Sequence, residues 1–79
     1  MANIISGAQC RMARGLLKWS VAELEKKSGV SSMTIKRIEG GDGVPNSQVS
    51  TLDAIYQAFV ATGLVRFEGE AIVEALPNS

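Results

Sequence analysis

The sequence predicts a small all-α domain of four to five helices, with a short β-strand near the C-terminus. Its 79 residues are 46% hydrophobic and 20% charged, which suits one small apolar core and is too apolar for a disordered chain. Serines that can start helices recur along the chain. The segments after them repeat apolar residues at helical spacing, which favours helices over strands.

Four pairs of an apolar residue and a serine predict where the helices begin. Each serine can cap a helix, while the apolar residue before it packs on the residue five positions later. The pairs are Ile5-Ser6, Trp19-Ser20, Val30-Ser31 and Val49-Ser50, facing Cys10, Leu24, Ile35 and Ala54. Gln9 and Glu23 complete capping boxes with Ser6 and Ser20. The predicted helices cover about residues 6–17, 20–28, 31–39 and 50–62.

The apolar faces of these helices predict one shared core. Its expected members are Leu24, Ile35, Ile38, Leu52, Ile55 and Phe59, joined from the first helix by Cys10, Ala13, Leu16 and Leu17. Cys10 is then expected to serve as a small core residue, with a reactive thiol as the less favoured alternative. Trp19 is likewise expected in the core rather than stacked on a base.

The stretch from Ser20 to Gly41 predicts two short helices joined by a tight turn. Gly29 can adopt the left-handed conformation that ends a helix, and Ser31 offers the next cap. Gly40 and Gly41 stop the second helix. Two helices joined by a short turn that contains glycine form a helix-turn-helix, whose second helix can lie in the major groove of DNA.

This stretch, with Arg14 before it and Pro45 after it, resembles the helix-turn-helix of the lambda-repressor/Cro-like (XRE family) transcriptional regulators. The resemblance covers roughly residues 5–65, and its most specific parts are WS, GVS and TIKRIEGG. It implies a lambda-repressor-like fold with a DNA-binding domain in residues 1–63. It also implies a sequence-specific regulator that binds double-stranded DNA as a homodimer.

The resemblance assigns base reading to the helix at 31–39, through Ser32, Met33 and Arg37, with Lys36 on a base or a phosphate. The guanidinium of Arg37 can bond guanine, Ser32 can donate or accept, and Met33 can pack on a thymine methyl. Phosphates are expected at the first amide groups of the preceding helix. These belong to Ser20, Val21 and Ala22, with Lys18, Thr34 and residues 40–43 as weaker candidates. Solvated surface is the alternative interpretation.

Other positions also have a family counterpart. Arg14 and Glu39 lie where similar regulators have an ion pair that ties the first helix to the end of the third, which implies a structural role. Two positions depart from the family: glutamine is common where this chain has Val21, and alanine where it has Glu25. A carboxylate at position 25 must reach solvent or find a cation, for which Lys36 is a candidate.

Charge and composition limit the function classes. Residues 1–41 carry seven basic and three acidic side chains, a net charge of +4, whereas residues 42–79 carry −4. The basic half contains the helix pair, which favours DNA. The zero net charge of the whole chain, together with Val21 and Glu25, supports an alternative: a protein-interaction module of the same fold, such as an antitoxin or an antirepressor-like partner.

An enzyme is not expected, because the chain has no histidine, no glycine-rich phosphate loop and no clustered carboxylates. Its single cysteine excludes an internal disulfide and a cysteine-cluster metal site, and no cofactor is expected. No apolar run is long enough to span a membrane, and no secretion leader is recognisable, so the expected location is the cytoplasm.

Residues 64–79 are predicted to form a dimerisation strand or a short helix. A strand at about 65–68 is favoured; residues 68–70 could turn it into a hairpin, or residues 71–76 could form an amphipathic helix. The apolar residues that the first three helices leave over are Val60, Val65, Phe67, Ile72, Val73 and Leu76. They predict a two-fold dimer built on the fourth helix and residues 64–76, with a tail folded on its own core as the alternative.

Overall fold

The computed structural model describes residues 4–68 and the backbone of residues 71–74. Its elements in chain order are α1 (Gly7–Leu17), α2 (Val21–Ser28), α3 (Ser32–Glu39), α4 (Val49–Val60), β1 (Val65–Glu68) and β2 (Ala71–Glu74). The two strands are antiparallel, with Val65 opposite Glu74 and Glu68 opposite Ala71. The protein is therefore mostly helical, as predicted, and the strand expected at 65–68 is confirmed. The hairpin, rather than a helix, is observed at 71–74.

Three of the four predicted serine caps are confirmed. Ser6 accepts the amide of Gln9 at 3.0 Å, and the Gln9 side chain accepts the amide of Ser6 at 2.9 Å. Ser20 and Glu23 form the same reciprocal pair, at 3.1 and 2.9 Å. Ser31 accepts the amide of Thr34 at 3.2 Å. Local sequence therefore sets where α1, α2 and α3 begin.

The cap predicted at Ser50 is wrong. Gln48 takes the N-cap position without a side-chain bond, and α4 begins at Val49. Both Val49 and Ser50 are exposed, and Val49 is the first residue of the helix rather than the residue before its cap, so the predicted staple is not formed. Because the first amide groups of α4 lie at the surface, water can satisfy them without a serine cap. The helix also ends at Val60, before the turn at Thr62 and Gly63.

The core contains the six residues on which the prediction depended. Leu24, Ile35, Ile38, Leu52, Ile55 and Phe59 are all buried, together with Ile5, Cys10, Ala13 and Val65. Leu17 is half-buried, but Leu16 is exposed, contrary to prediction. Cys10, Ala13 and Leu17 share one stripe of α1, whereas Leu16 lies about 120° around the helix from Cys10.

Aromatic rings connect the hairpin to the helices. Trp19 is half-buried, as expected for a core residue, and stacks on Phe59 with 5.7 Å between ring centroids. Phe67 of β1 packs on Tyr56 of α4 at 4.9 Å. Since Val65 is also buried, β1 completes the core of its own chain. Among the apolar residues assigned to a dimer, Ile72 and Val73 belong to β2, whose side chains are not described, and Leu76 lies outside the described residues.

Candidate nucleic-acid interface

The turn between α2 and α3 sets how the two helices meet. Gly29 has a φ of 77°, which favours glycine, and its amide donates to the carbonyl of Glu25 at 2.8 Å. The amide of Val30 donates to the Ser28 hydroxyl at 3.1 Å, which closes the turn. Helix α3 then buries Ile35 and Ile38 in the core that contains Leu24. The opposite face of α3 is therefore turned to solvent.

The residues predicted to read bases lie on or beside this outer face. Met33 is 81% exposed, the highest exposed fraction among the large apolar side chains of the described residues. Lys36 and Arg37 are also exposed, while Ser32 is half-buried. The guanidinium of Arg37 donates to the carbonyl of Asn46 at 3.4 Å and to the hydroxyl of Ser47 at 3.2 Å. Three of its five N–H donors remain for a ligand.

Glu25 makes a contact that the sequence did not predict. Its Oε1 atom accepts the backbone amide of Ser32 at 3.1 Å and also accepts the Ser32 hydroxyl. Lys36, the cation suggested from the sequence, is not its partner among the described residues. The turn places the first amide of α3 next to Glu25 of α2. The N-terminus of a helix is positive and its first N–H groups have no acceptor within the helix, so it stabilises the Glu25 carboxylate.

The predicted phosphate site at the start of α2 is smaller than expected. The amide of Ser20 is taken by the Glu23 carboxylate at 2.9 Å, so it is not available to a phosphate. The amides of Val21 and Ala22 are the first two of the helix, and no described group accepts from them. Two neighbouring N–H groups therefore remain as a potential anion contact.

The weaker phosphate candidates occupy different surroundings. Lys18 ends α1 in the left-handed conformation, with a φ of 56°, and its side chain is exposed. Thr34 is half-buried, and its hydroxyl accepts from the Ser31 hydroxyl at 3.0 Å. Lys18 can therefore reach a phosphate more freely than Thr34. In the loop at 40–43, the carbonyls of Asp42 and Gly43 accept amides from the start of α1, at 3.3 and 3.0 Å.

Arg14 and Glu39 form an ion pair between α1 and the last residue of α3. The Nε and Nη2 atoms of Arg14 donate to the two carboxylate oxygens of Glu39 at 2.9 and 2.7 Å. The third bond goes from Nη1 to the carbonyl of Trp19, at 3.0 Å. The Glu39 side chain is only 8% exposed and that of Arg14 is 23% exposed. Such a bidentate, largely buried pair fixes α3 to α1 and leaves Arg14 little freedom to contact DNA.

Arg11 and Cys10 strengthen the same junction, and neither role was predicted. Arg11 donates to the carbonyls of Glu39 and Gly41 and forms an ion pair with Asp42. The Cys10 thiol donates to a carboxylate oxygen of Glu39 at 3.0 Å. In the sequence, Arg11 is one of seven basic residues among positions 1–41 and has no predicted role of its own. Its position one helical turn before Arg14 was the available signal.

This junction also changes the proton affinity of its members. Burial alone would raise the pKa of Glu39, but hydrogen bonds from Arg14 and Cys10 and the nearby arginine charges outweigh it, so the pKa lies below its ordinary value. The bond to Glu39 raises the pKa of Arg14. Burial, and then the bond to the Glu39 carboxylate, raise the pKa of the Cys10 thiol. The pair is therefore charged and the thiol neutral at pH 7.

Ion pairing leaves a defined set of positive charges for a partner. The ion pairs among the described residues join Arg11 to Asp42, Arg14 to Glu39 and Arg66 to Glu68. The exposed basic side chains of residues 4–41 that remain outside ion pairs are Lys18, Lys26, Lys27, Lys36 and Arg37. Lys27 lies over the Trp19 ring, 6.0 Å from its centroid. The two arginines of α1 are thus engaged in contacts within the protein. The positive charge available to a partner is carried by residues that follow α1.

The described residues contain neither a membrane-spanning helix nor a metal site, and no known protein was found that could assign a function to this surface. None of the described helices is long and apolar enough to cross a membrane. The described residues also hold no group of three or more His, Cys, Asp or Glu side chains that could bind a metal ion. Searches against models of protein families, against curated proteins and against solved structures gave no match.

Proposed function

We propose that this chain is a sequence-specific DNA-binding transcriptional regulator of the lambda-repressor/Cro-like (XRE) kind. In this proposal α2 and α3 form the helix-turn-helix, and α3 lies in the major groove. The observation that carries it is the division of α3 into two faces. Ile35 and Ile38 are buried, whereas Met33, Lys36 and Arg37 point to solvent next to a turn of suitable length.

The chemistry of the outer face fits a major groove. The two terminal nitrogens of the Arg37 guanidinium each donate one bond, to the carbonyl of Asn46 and the hydroxyl of Ser47, which limits the freedom of the side chain before a guanine is bound. Met33 can cover a thymine methyl, and Lys36 supplies a charge to a base or a phosphate. The free amides of Val21 and Ala22 would then contact the DNA backbone at the other helix.

A direct test compares two arginines on different parts of the chain. Arg37→Ala should weaken binding to the best sequence by about 1–3 kcal/mol and relax preference at one base pair. Arg66→Ala removes the same charge from an exposed position of β1 and should have little effect. Fluorescence anisotropy with a duplex selected from a random pool, at two salt concentrations, measures both. Equal losses for the two variants would contradict the assignment of α3.

The proposal includes a homodimer, which would present two copies of α3 about 34 Å apart along the DNA. Two features of the described residues support it. The sheet has two strands, so each has one unpaired edge. Leu16 and Leu64 are exposed and help to line a groove of about 200 Å³ between the end of α1 and the hairpin. Apolar side chains in that position suit a second copy of the chain.

Light scattering at tens of micromolar tests the dimer. Removing the chain after Gly63 would delete the buried Val65 and would test stability as well as association. Leu64→Arg, at an exposed site, is therefore the better variant, and it should reduce the dimer while far-UV circular dichroism stays unchanged. Val44→Arg, exposed in the loop before α4, serves as the control. A wild-type chain that stays monomeric would contradict this part of the proposal.

A second candidate is a protein-interaction module of the same fold, of the antitoxin or antirepressor-like kind. The observation that favours it is the exposure of Met33 near the acidic Glu25. An exposed apolar side chain near a carboxylate suits a protein partner as well as DNA. The salt test separates the two. A DNA-binding protein loses affinity steeply as salt rises, whereas absence of binding to any duplex at low salt would favour the protein partner.

A further inference from the structure

The contact between Glu25 and Ser32 fixes which way the Ser32 hydroxyl can bond. A serine hydroxyl has one proton, and a carboxylate can only accept. The proton of the Ser32 hydroxyl is therefore directed to Oε1 of Glu25, which also accepts the Ser32 amide. What remains open on the outside are lone pairs on the Ser32 oxygen and on Oε2 of Glu25. The start of α3 is thus a surface of acceptors without a free side-chain donor at these two residues.

We propose that Glu25 is a specificity-determining residue that makes Ser32 an acceptor toward DNA. The base read at the start of α3 is then one that presents an amino group in the major groove, namely cytosine through N4 or adenine through N6. Guanine and thymine present carbonyl oxygens there, and these would face the acceptors of Ser32 and Glu25. Specificity arises from this repulsion as much as from the bond that is formed. The inference rests on the proposed function.

The surroundings of Glu25 favour a base over a phosphate as the partner of this surface. The amide of Ser32 is occupied by Glu25, and the amide of Thr34 is occupied by the Ser31 hydroxyl at 3.2 Å. A phosphate would therefore find few donors at the start of α3 and would meet a carboxylate. Glu25 is exposed, so its second oxygen is accessible from solvent. Phosphate contacts fall instead to the start of α2, where two amides are free.

The experiment selects bound sequences from a pool of random duplex DNA, using the intact chain and three variants. Wild type should enrich cytosine or adenine over guanine or thymine by about tenfold at one position of its site. Glu25→Ala releases the Ser32 hydroxyl, which can then donate or accept, and should reduce that ratio to about twofold. Glu25→Gln keeps an acceptor for Ser32 but replaces the outer oxygen with an amide donor, so guanine or thymine should gain.

Glu23→Gln is the matched control, since it removes a carboxylate from the same helix and its amide oxygen can still accept from Ser20. It can raise affinity for all DNA, but it should leave the base frequencies unchanged. Circular dichroism of each variant checks that it is folded. If Glu25→Ala does not fold, the near-isosteric Glu25→Gln provides the test instead. Unchanged base frequencies in a folded Glu25 variant overturn the inference and leave the proposed function standing. A wild type that enriches no sequence overturns both.

Discussion

The two ends of α3 are held in opposite ways. The C-terminal end is fixed by three side chains of α1, because Cys10, Arg11 and Arg14 all bond to Glu39. The N-terminal end is held by Ser31 and Glu25, both exposed, and it presents Met33 to solvent. The C-terminal end is therefore the closed end of α3, because α1 bonds to it around a mostly buried ion pair. The N-terminal end is the open end, which keeps unused hydrogen-bonding atoms.

This difference teaches that basic residues near a helix pair do not all mark a DNA contact. Arg11 and Arg14 account for two of the seven positive charges in residues 1–41, yet both are bonded to the end of α3. A positive charge that is already paired with a carboxylate and with backbone carbonyls contributes little to the binding of a phosphate. The candidate interface is better defined by exposure and by unpaired donors than by counting lysine and arginine.

The largest expected effect breaks the closed end. Glu39→Ala strands Arg14, whose side chain is only 23% exposed, and should lower the free energy of unfolding by about 3 kcal/mol. Urea unfolding followed by circular dichroism measures it. Glu68→Ala, which removes the exposed partner of Arg66, is the control and should cost at most about 1 kcal/mol. Equal costs would show that the two ion pairs do not differ.

Two glycines of α1 differ in how closely their backbone packs, because Gly7 lies against the closed end of α3 and Gly15 does not. A Cβ atom at Gly7 would overlap the carbonyl oxygens of Ile38 and Gly41 at the end of α3. Gly7→Ala should therefore destabilise the protein by about 1–3 kcal/mol. A Cβ at Gly15 would meet nothing within 4 Å, so Gly15→Ala should stabilise it by about 0.5–1 kcal/mol. Thermal unfolding should show shifts of opposite sign, and shifts of the same sign would contradict this packing.

Acid should weaken the closed end selectively. The pKa of Glu39 is lowered from its ordinary 4.5 in the folded protein, so the unfolded chain takes up this proton first as the pH falls. Its contribution is present above about pH 4.5 and is lost as the pH falls through the folded-state pKa. The stability advantage of wild type over Glu39→Gln should therefore shrink below that pH. Unfolding curves at pH 7, 5, 4 and 3 measure it, and a constant difference would refute the assignment.

The smallest effect is expected at the open end. Met33 is 81% exposed, so Met33→Ala should change the free energy of unfolding by at most about 0.5 kcal/mol. The same variant should alter DNA binding if Met33 packs on a thymine methyl. Urea unfolding and anisotropy on one preparation separate the two readouts. A stability loss above about 1 kcal/mol would show that this end is packed more closely than its exposure indicates.

Local sequence was sufficient where structure depends on neighbours in the chain. Ser6, Ser20 and Ser31 cap residues three positions away, and the burial of Ile35 and Ile38 follows from helical spacing. Ser50 failed because a helix that starts at the surface does not require a side-chain cap. A capping pattern shows where a helix can start, but a helix can also start without one when water accepts from its first amide groups.

Contacts between distant residues could be predicted only in part. The Arg14–Glu39 pair was implied by a family resemblance, whereas the bonds of Arg11 span 28 to 31 residues, and their only signal in the sequence was the position of Arg11 one helical turn before Arg14. Glu25 was expected to reach solvent or to find a cation. It is exposed, and its partner is the amide of Ser32, which the turn at Gly29 brings to it. A backbone donor cannot be recognised from side-chain types, so the sequence alone could not name it.

At the closed end of α3, the reactivity of Cys10 can report how often α1 and α3 separate. Cys10 is completely buried and bonded to Glu39, and its raised pKa disfavours the thiolate that reacts with oxidants and alkylating reagents. A thiol reagent can reach it only when the core around Cys10 opens, as it does when α1 separates from α3. The labelling rate in native buffer therefore follows the population of molecules in which this junction is transiently open. In a cell, the same burial delays oxidative damage to the only cysteine for as long as α1 stays docked.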